Sequence, residues 1–123
     1  RGICCLIPGQ TYSRNIRVTR IVDTFLEHAR IWYFGNGGNP KLFLGSPDWM
    51  RRNLYRRIEA VTPILDPDAK QELIDMLSIQ LSDKRKACFV DENLRNCWKS
   101  AHPQKEKVRS QYTFYEYLKE KTE

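Results

Sequence analysis

An α/β fold, a mixed sheet flanked by helices, is the architecture that three features of this 123-residue sequence predict. Apolar residues recur at three- and four-residue spacing in Val18, Ile21, Val22, Phe25 and Leu26, the stripe of a helix that buries one face. Two apolar and aromatic runs, Ile31 to Phe34 and Lys41 to Leu44, flank Gly35-Asn36-Gly37-Gly38-Asn39-Pro40, which has the composition of a hairpin turn. Asp66-Pro67 then opens a second helical pattern, with aspartate as N-cap and proline at the first helical position.

Taken in order, Arg1 to Leu6 reads as the tail of a buried strand whose beginning is missing, so the chain is expected to be an N-terminally truncated fragment of a longer polypeptide. Pro8-Gly9 turns into a polar loop, and Ser13 to Asn15 offers caps for a helix starting near Ile16. That helix leaves Arg17, Arg20 and Thr24 on its outer side and delivers His28 where it hands over to the first hairpin strand. After the hairpin, Trp49 to Leu54 predicts a short helix, and Arg57 to Val61 alternates as a strand does. The helix opened by Asp66 carries Leu73, Ile74, Leu77 and Leu81 on one face and ends at Lys84-Arg85-Lys86, cations that suit its negative end. Ala87 to Val90 reads as one more strand, and Asp91 to His102 as irregular chain with a single turn around Asn93 to Trp98. A last helix is expected from Gln104 to Glu120, with Val108, Tyr112, Tyr115 and Leu118 inward. Its aromatic stripe reads as core rather than as a base-stacking surface.

The length fits one domain. Hydrophobic content of 41% and charged content of 29% are those of a water-soluble globular chain. No apolar run approaches the roughly 20 residues of a membrane-spanning helix. A formal charge of +6 favours anionic partners without choosing among nucleic acid, nucleotide, another polyphosphate and an acidic protein. The four cysteines, vicinal Cys4-Cys5 and the separate Cys88 and Cys97, match no zinc-ligand spacing and read as reduced packing residues of a cytosolic protein.

The chemistry centres on His28. An imidazole at a junction between two elements can be fixed by packing and still face a cleft, and Arg30 places a guanidinium on the same side. His28-x-Arg30, the glycine-rich turn and Gly45-Ser46-x-Asp48 resemble the His-x-Lys and Gly-Ser-x-Asn pattern of the phospholipase D superfamily. The step between the two halves is longer here, and Gly35 stands where that pattern has aspartate. Arg30 in the lysine position can hold a phosphoryl oxygen with fixed bidentate geometry. Larger blocks carry a closer resemblance: Arg1-Gly2-Ile3-Cys4-Cys5-Leu6-Ile7-Pro8-Gly9, Asn15-Ile16-Arg17-Val18, Ile21-Val22-Asp23, Phe25-Leu26-Glu27-His28 and Asp48-Trp49-Met50-x-Arg52-Asn53-Leu54. With Pro63-Ile64-Leu65-Asp66-Pro67 and Lys107-Val108-Arg109 to Tyr115, they resemble the carboxy-terminal, phospholipase D-like domain of the polyphosphate kinase family over nearly the whole chain. Arg14, Arg51 and Pro47 depart from that pattern in loops, leaving the path of the substrate open.

The resemblance implies that residues 1–123 form that catalytic domain, its first strand incomplete. It implies reversible transfer of the γ-phosphate of ATP to inorganic polyphosphate through a phosphohistidine in an upstream domain. Mg2+ would be held upstream as well, so no metal ligand is assigned here. By position His28 matches the family's second active-site histidine, and Arg1 an arginine on the nucleotide phosphates. Phosphoryl transfer needs charge held around an in-line path, for which Arg17 and Arg30 join Arg1. Ser46, Asp48, Arg52, Asn53 and Arg57 are the candidates for the polyphosphate path. The expected partners are ATP and ADP, polyphosphate, the upstream domains and a second copy of the chain, with no specific nucleic acid. The expected place is the cytoplasm, with peripheral membrane association left open, and the fragment alone is expected to be inactive. Two other classes fit the residues: half of a phospholipase D-like nuclease, and a non-catalytic basic module for nucleic acid.

Overall fold

The computed structural model describes residues 6–122. In chain order the elements are β1 (Thr19–Ile21), β2 (Ile31–Phe34), β3 (Lys41–Gly45), α1 (Arg51–Arg56), β4 (Val61–Pro63), α2 (Pro67–Ser82), β5 (Ala87–Val90), β6 (Asn96–Trp98) and α3 (Ser110–Thr122). They group into two compact units, one of Glu27–Ile74 and one of the residues before and after it. The α/β class holds, and among the described residues the strands form two three-stranded antiparallel sheets, β1-β5-β6 and β2-β3-β4, where one mixed sheet was expected.

The unit built on β1-β5-β6 corrects the first helix. Ile16, Val18, Thr19, Ile21, Val22 and Thr24 are β-branched, which disfavours a helix and suits a pleated surface. The segment therefore pairs, Thr19 opposite Phe89 and Ile21 opposite Ala87, with Val90 N–H donating to Val18 C=O at 2.9 Å. Ala87, Cys88 and Val90 of the central strand are all buried, Cys88 and Val90 on one face and Ala87 on the other. Burial also pushes the Cys88 thiol up.

Three polar residues fix the rest of this unit. Asp83, fully buried, accepts from the N–H groups of Arg85 at 2.8 Å and Lys86 at 2.7 Å through Oδ1. Its Oδ2 accepts from Ser110 N–H at 2.8 Å, so one carboxylate stops α2 before the expected Lys84-Arg85-Lys86 and caps α3. The last helix accordingly starts six residues later than its apolar spacing predicts. Asp91 Oδ1 accepts from Asn93 N–H at 2.9 Å and Arg95 N–H at 2.7 Å, closing the turn that brings β6 back beside β5 where irregular chain was expected.

Asp23, its side chain 1% exposed, takes two hydrogen bonds from the Arg109 guanidinium, Nε donating at 2.8 Å. That bond holds the Asp23 carboxyl below its usual value, against the opposing effect of burial. A carboxyl lowered by folding contributes stability that is complete above its unfolded value, about 3.9, and is lost as pH falls through the folded one. Thermal melts should therefore fall off below about pH 4 more steeply in the parent protein than in Asp23→Asn.

The unit built on β2-β3-β4 keeps the predicted hairpin: Ile31 pairs with Leu44 and Phe34 with Lys41. Its turn places Gly37 and Gly38 at φ of 61° and 95°, where a side chain is strained. Leu42 is buried at its centre. Asp66 caps α2 as the sequence predicts, Oδ1 accepting from Ala69 N–H at 2.8 Å. The strand expected at Arg57 to Val61 pairs later, at Val61–Pro63, while Ser46 N–H donates to Ala60 C=O at 2.9 Å.

Gly45, before Ser46, has no room for a side chain. A Cβ there would stand 2.5 Å from Cζ3 of Trp32 and 3.0 Å from the Ala60 carbonyl oxygen. Gly45→Ala should cost about 1–3 kcal/mol of stability, read as a lower urea midpoint with unchanged slope.

Candidate functional site

His28 is not delivered by a helix; it lies on the irregular segment just before β2. The loss of that helix does not bury it, since the imidazole is 64% exposed. Two residues on, Arg30 is fixed from both sides. Its carbonyl accepts from Gly45 N–H at 3.2 Å, and its guanidinium Nε donates to Asp48 Oδ1 at 2.8 Å. The two ends of the Gly-Ser-x-Asp segment thus hold the backbone and the side chain of the same arginine. Its Nη1 points back at the His28 carbonyl, 3.5 Å away.

His28 Nε2 sits between opposite charges, in contact with Arg30 Nη2 and 3.3 Å from Asp48 Oδ1. The two contacts demand opposite states of one nitrogen. A guanidinium only donates, so it needs a lone pair on Nε2; a carboxylate only accepts, so it needs Nε2–H. Arg30 therefore favours the ring with Nε2 bare, and Asp48 favours it with Nε2 protonated. The arginine holds the Asp48 carboxyl below its ordinary range, with His28 adding a smaller share. Arg30 is raised in turn, chiefly by its hydrogen bond to Asp48. The pair stays ionised at neutral pH.

A second cluster adjoins the first in sequence. Glu59 accepts a short hydrogen bond from Ser46 Oγ and a 2.8 Å bond from the Asn53 side-chain amide. These two donors, Ser46 first, lower its carboxyl, and Arg57 and Arg30 add their charge. Ser46 Oγ also accepts from Ala60 N–H at 3.1 Å. Asn53 is buried, and its Oδ1 has no hydrogen-bond partner among the described residues.

Of the expected site residues, His28, Arg30 and Asp48 come together directly, and Ser46 joins Asn53 through Glu59. Arg52 and Arg57 are exposed, on α1 and just after it. Arg17 is exposed ahead of β1, in the other unit. Arg1 lies outside the described residues, as do Cys4 and Cys5 and most of the expected first strand. Glu59 was missed; its only signal was its place beside Arg57 in a stretch of alternating polar and apolar residues.

Among the described residues no three His, Cys, Asp or Glu side chains converge as a metal donor set. No helix of the described residues is long and apolar enough to cross a membrane.

The pairing of an exposed imidazole with a carboxylate-anchored guanidinium is suited to phosphoryl chemistry, and comparison with known proteins gives the family. The polyphosphate kinase C-terminal domain 2 family matches residues 1–111. The chain is 46% identical over 97% of its length to the polyphosphate kinase of Escherichia coli K12, and 44% identical over the same share to that of Vibrio vulnificus. The crystal structure of polyphosphate kinase from Porphyromonas gingivalis superposes with a TM-score of 0.91 at 54% identity, over 98% of this chain and 18% of that one. The chain spans about 17% of the length of the curated relatives it matches. It belongs to the polyphosphate kinase family, within the part that forms C-terminal domain 2.

Proposed function

We propose that this chain is the portion of a polyphosphate kinase that supplies a second imidazole and a set of phosphate-holding arginines to the reversible transfer of phosphate between ATP and polyphosphate. The observation that carries the reading is the exposed His28 ring set against the Arg30–Asp48 ion pair. In this reading a histidine of an upstream domain carries the phosphoryl group, which splits one transfer into two easier ones. His28 gives or takes the proton at the oxygen leaving or attacking phosphorus.

Arg30 couples that proton to phosphate binding. A phosphoryl oxygen arriving at the guanidinium competes with Nε2 for the Nη2 hydrogens. Protonation of Nε2 settles the competition, because Nε2–H turns to Asp48 and frees the Arg30 edge for the phosphate. Asp48 keeps the guanidinium aimed throughout, so it serves as a positioning residue. On the family resemblance, Arg1 and Arg17 are further candidates for contact with the nucleotide phosphates. Ser46, Asp48, Arg52, Asn53 and Arg57 border the polyphosphate path, where exposed Arg52 and Arg57 bring charge and Glu59 braces Ser46 and Asn53.

The domain works against upstream domains of its own chain and within a homo-oligomer in the cytoplasm. Trp49, Tyr55 and Ile58, exposed by 76%, 80% and 104%, give it apolar surface for such neighbours to cover. Full-length protein given ATP and short polyphosphate is expected to lengthen the chains, and residues 1–123 alone are not. Extension by the fragment alone, or none by the full-length protein, would overturn the reading.

A further inference from the structure

The chain's basic excess is not spread over its surface. Two segments, 84–86 and 99–109, hold seven lysines and arginines against the single acid Glu106, an excess equal to the +6 of the whole chain. Three of these cations, Arg85, Lys86 and Arg109, line one open cleft of about 720 Å3 in the unit built on β1-β5-β6, together with Trp98, Ser100 and Gln104. That volume is within the usual range for a small-molecule site, roughly 300–1,000 Å3. We propose that this cleft binds a nucleoside di- or triphosphate, at a site formed without His28.

The nearby acids are already occupied by other groups. Asp83 accepts from three backbone N–H groups, Asp23 from the Arg109 guanidinium, and Glu106 from Ser100 Oγ at 2.6 Å. Arg85 and Lys86, by contrast, make no side-chain hydrogen bond or ion pair among the described residues, although their backbone is pinned by Asp83. Two cations on a fixed backbone beside an open cleft are suited to a phosphate group. The same cleft is lined by Trp98, 58% exposed yet held on β6 in register with Cys88. An indole in that position offers a stacking face to a base, and Gln104 a hydrogen-bonding edge. Bare polyphosphate would use the cations and leave the indole idle; a nucleotide uses both.

Equilibrium dialysis of the full-length protein with ADP tests this, whatever His28 does. Wild type should bind a second equivalent per protomer, and His28→Ala should retain it. Trp98→Leu, and separately the double variant Arg85→Gln with Lys86→Gln, should weaken that equivalent by about tenfold while leaving turnover at saturating substrate unchanged. The double variant decides the matter if Trp98→Leu does not fold. A single equivalent in wild type would overturn the site. An equivalent that inorganic tripolyphosphate displaces and that Trp98→Leu leaves at full affinity would overturn its assignment to a nucleotide. Failure of the phosphotransfer reading would look different, as loss of the equivalent that does not depend on Arg85, Lys86 and Trp98.

Discussion

Full-length protein carrying His28→Ala should extend polyphosphate at least a hundredfold more slowly than wild type, the roughly 10²–10⁴-fold range of a lost general acid or base. The loss should fall on kcat. The hydrogen bonds of the His28 ring among the described residues run through Nε2, and a ring 64% exposed contributes little packing, so melting temperature should hardly move. His28→Gln separates proton transfer from hydrogen bonding, because an amide can donate to Asp48 but cannot carry a proton between two oxygens. It should be as slow as the alanine variant. Turnover of His28→Gln near wild type would reduce the ring to a hydrogen-bonding part.

Arg30→Lys is expected to cost about a hundredfold, although the charge is kept. Arg30 does two things with one planar group: Nε is taken by Asp48, and the Nη2 edge meets His28 and, in the proposed mechanism, the phosphate. An ammonium can make the ion pair or reach the phosphate, but cannot hold both in fixed relation. Because the contact with phosphate tightens as charge shifts in the transition state, kcat should fall more than KM rises. A proportionate rise in KM with kcat intact would instead mean that Arg30 only holds ground-state phosphate.

Elements whose signals are local were legible in the sequence. Asp66-Pro67 and the glycine-rich hairpin carry their instructions within a few residues, and both formed as read. The segment from Ile16 to Glu27 was not legible, because its apolar spacing fits a helix while its β-branched residues fit a strand. Pairing with β5, some seventy residues away, decides between them. Asp83 was hidden for the same reason: one carboxylate ends a helix, pins a loop and caps another helix 27 residues later. At the site, His28, Arg30 and Asp48 could be picked out by motif, and they meet. Glu59 could not, since its role exists only through Ser46 and Asn53, brought to it by the end of β3 and by α1.

The central claim is that the His28 ring moves a proton during phosphoryl transfer, and restoring a free ring to the emptied position tests it most directly. Exposure of the site leaves space for imidazole in His28→Ala. With ATP and polyphosphate saturating, turnover of that full-length variant should rise with added imidazole until the site fills, while wild type stays level. A variant rate indifferent to imidazole, or a wild type that rises in parallel, would contradict the account.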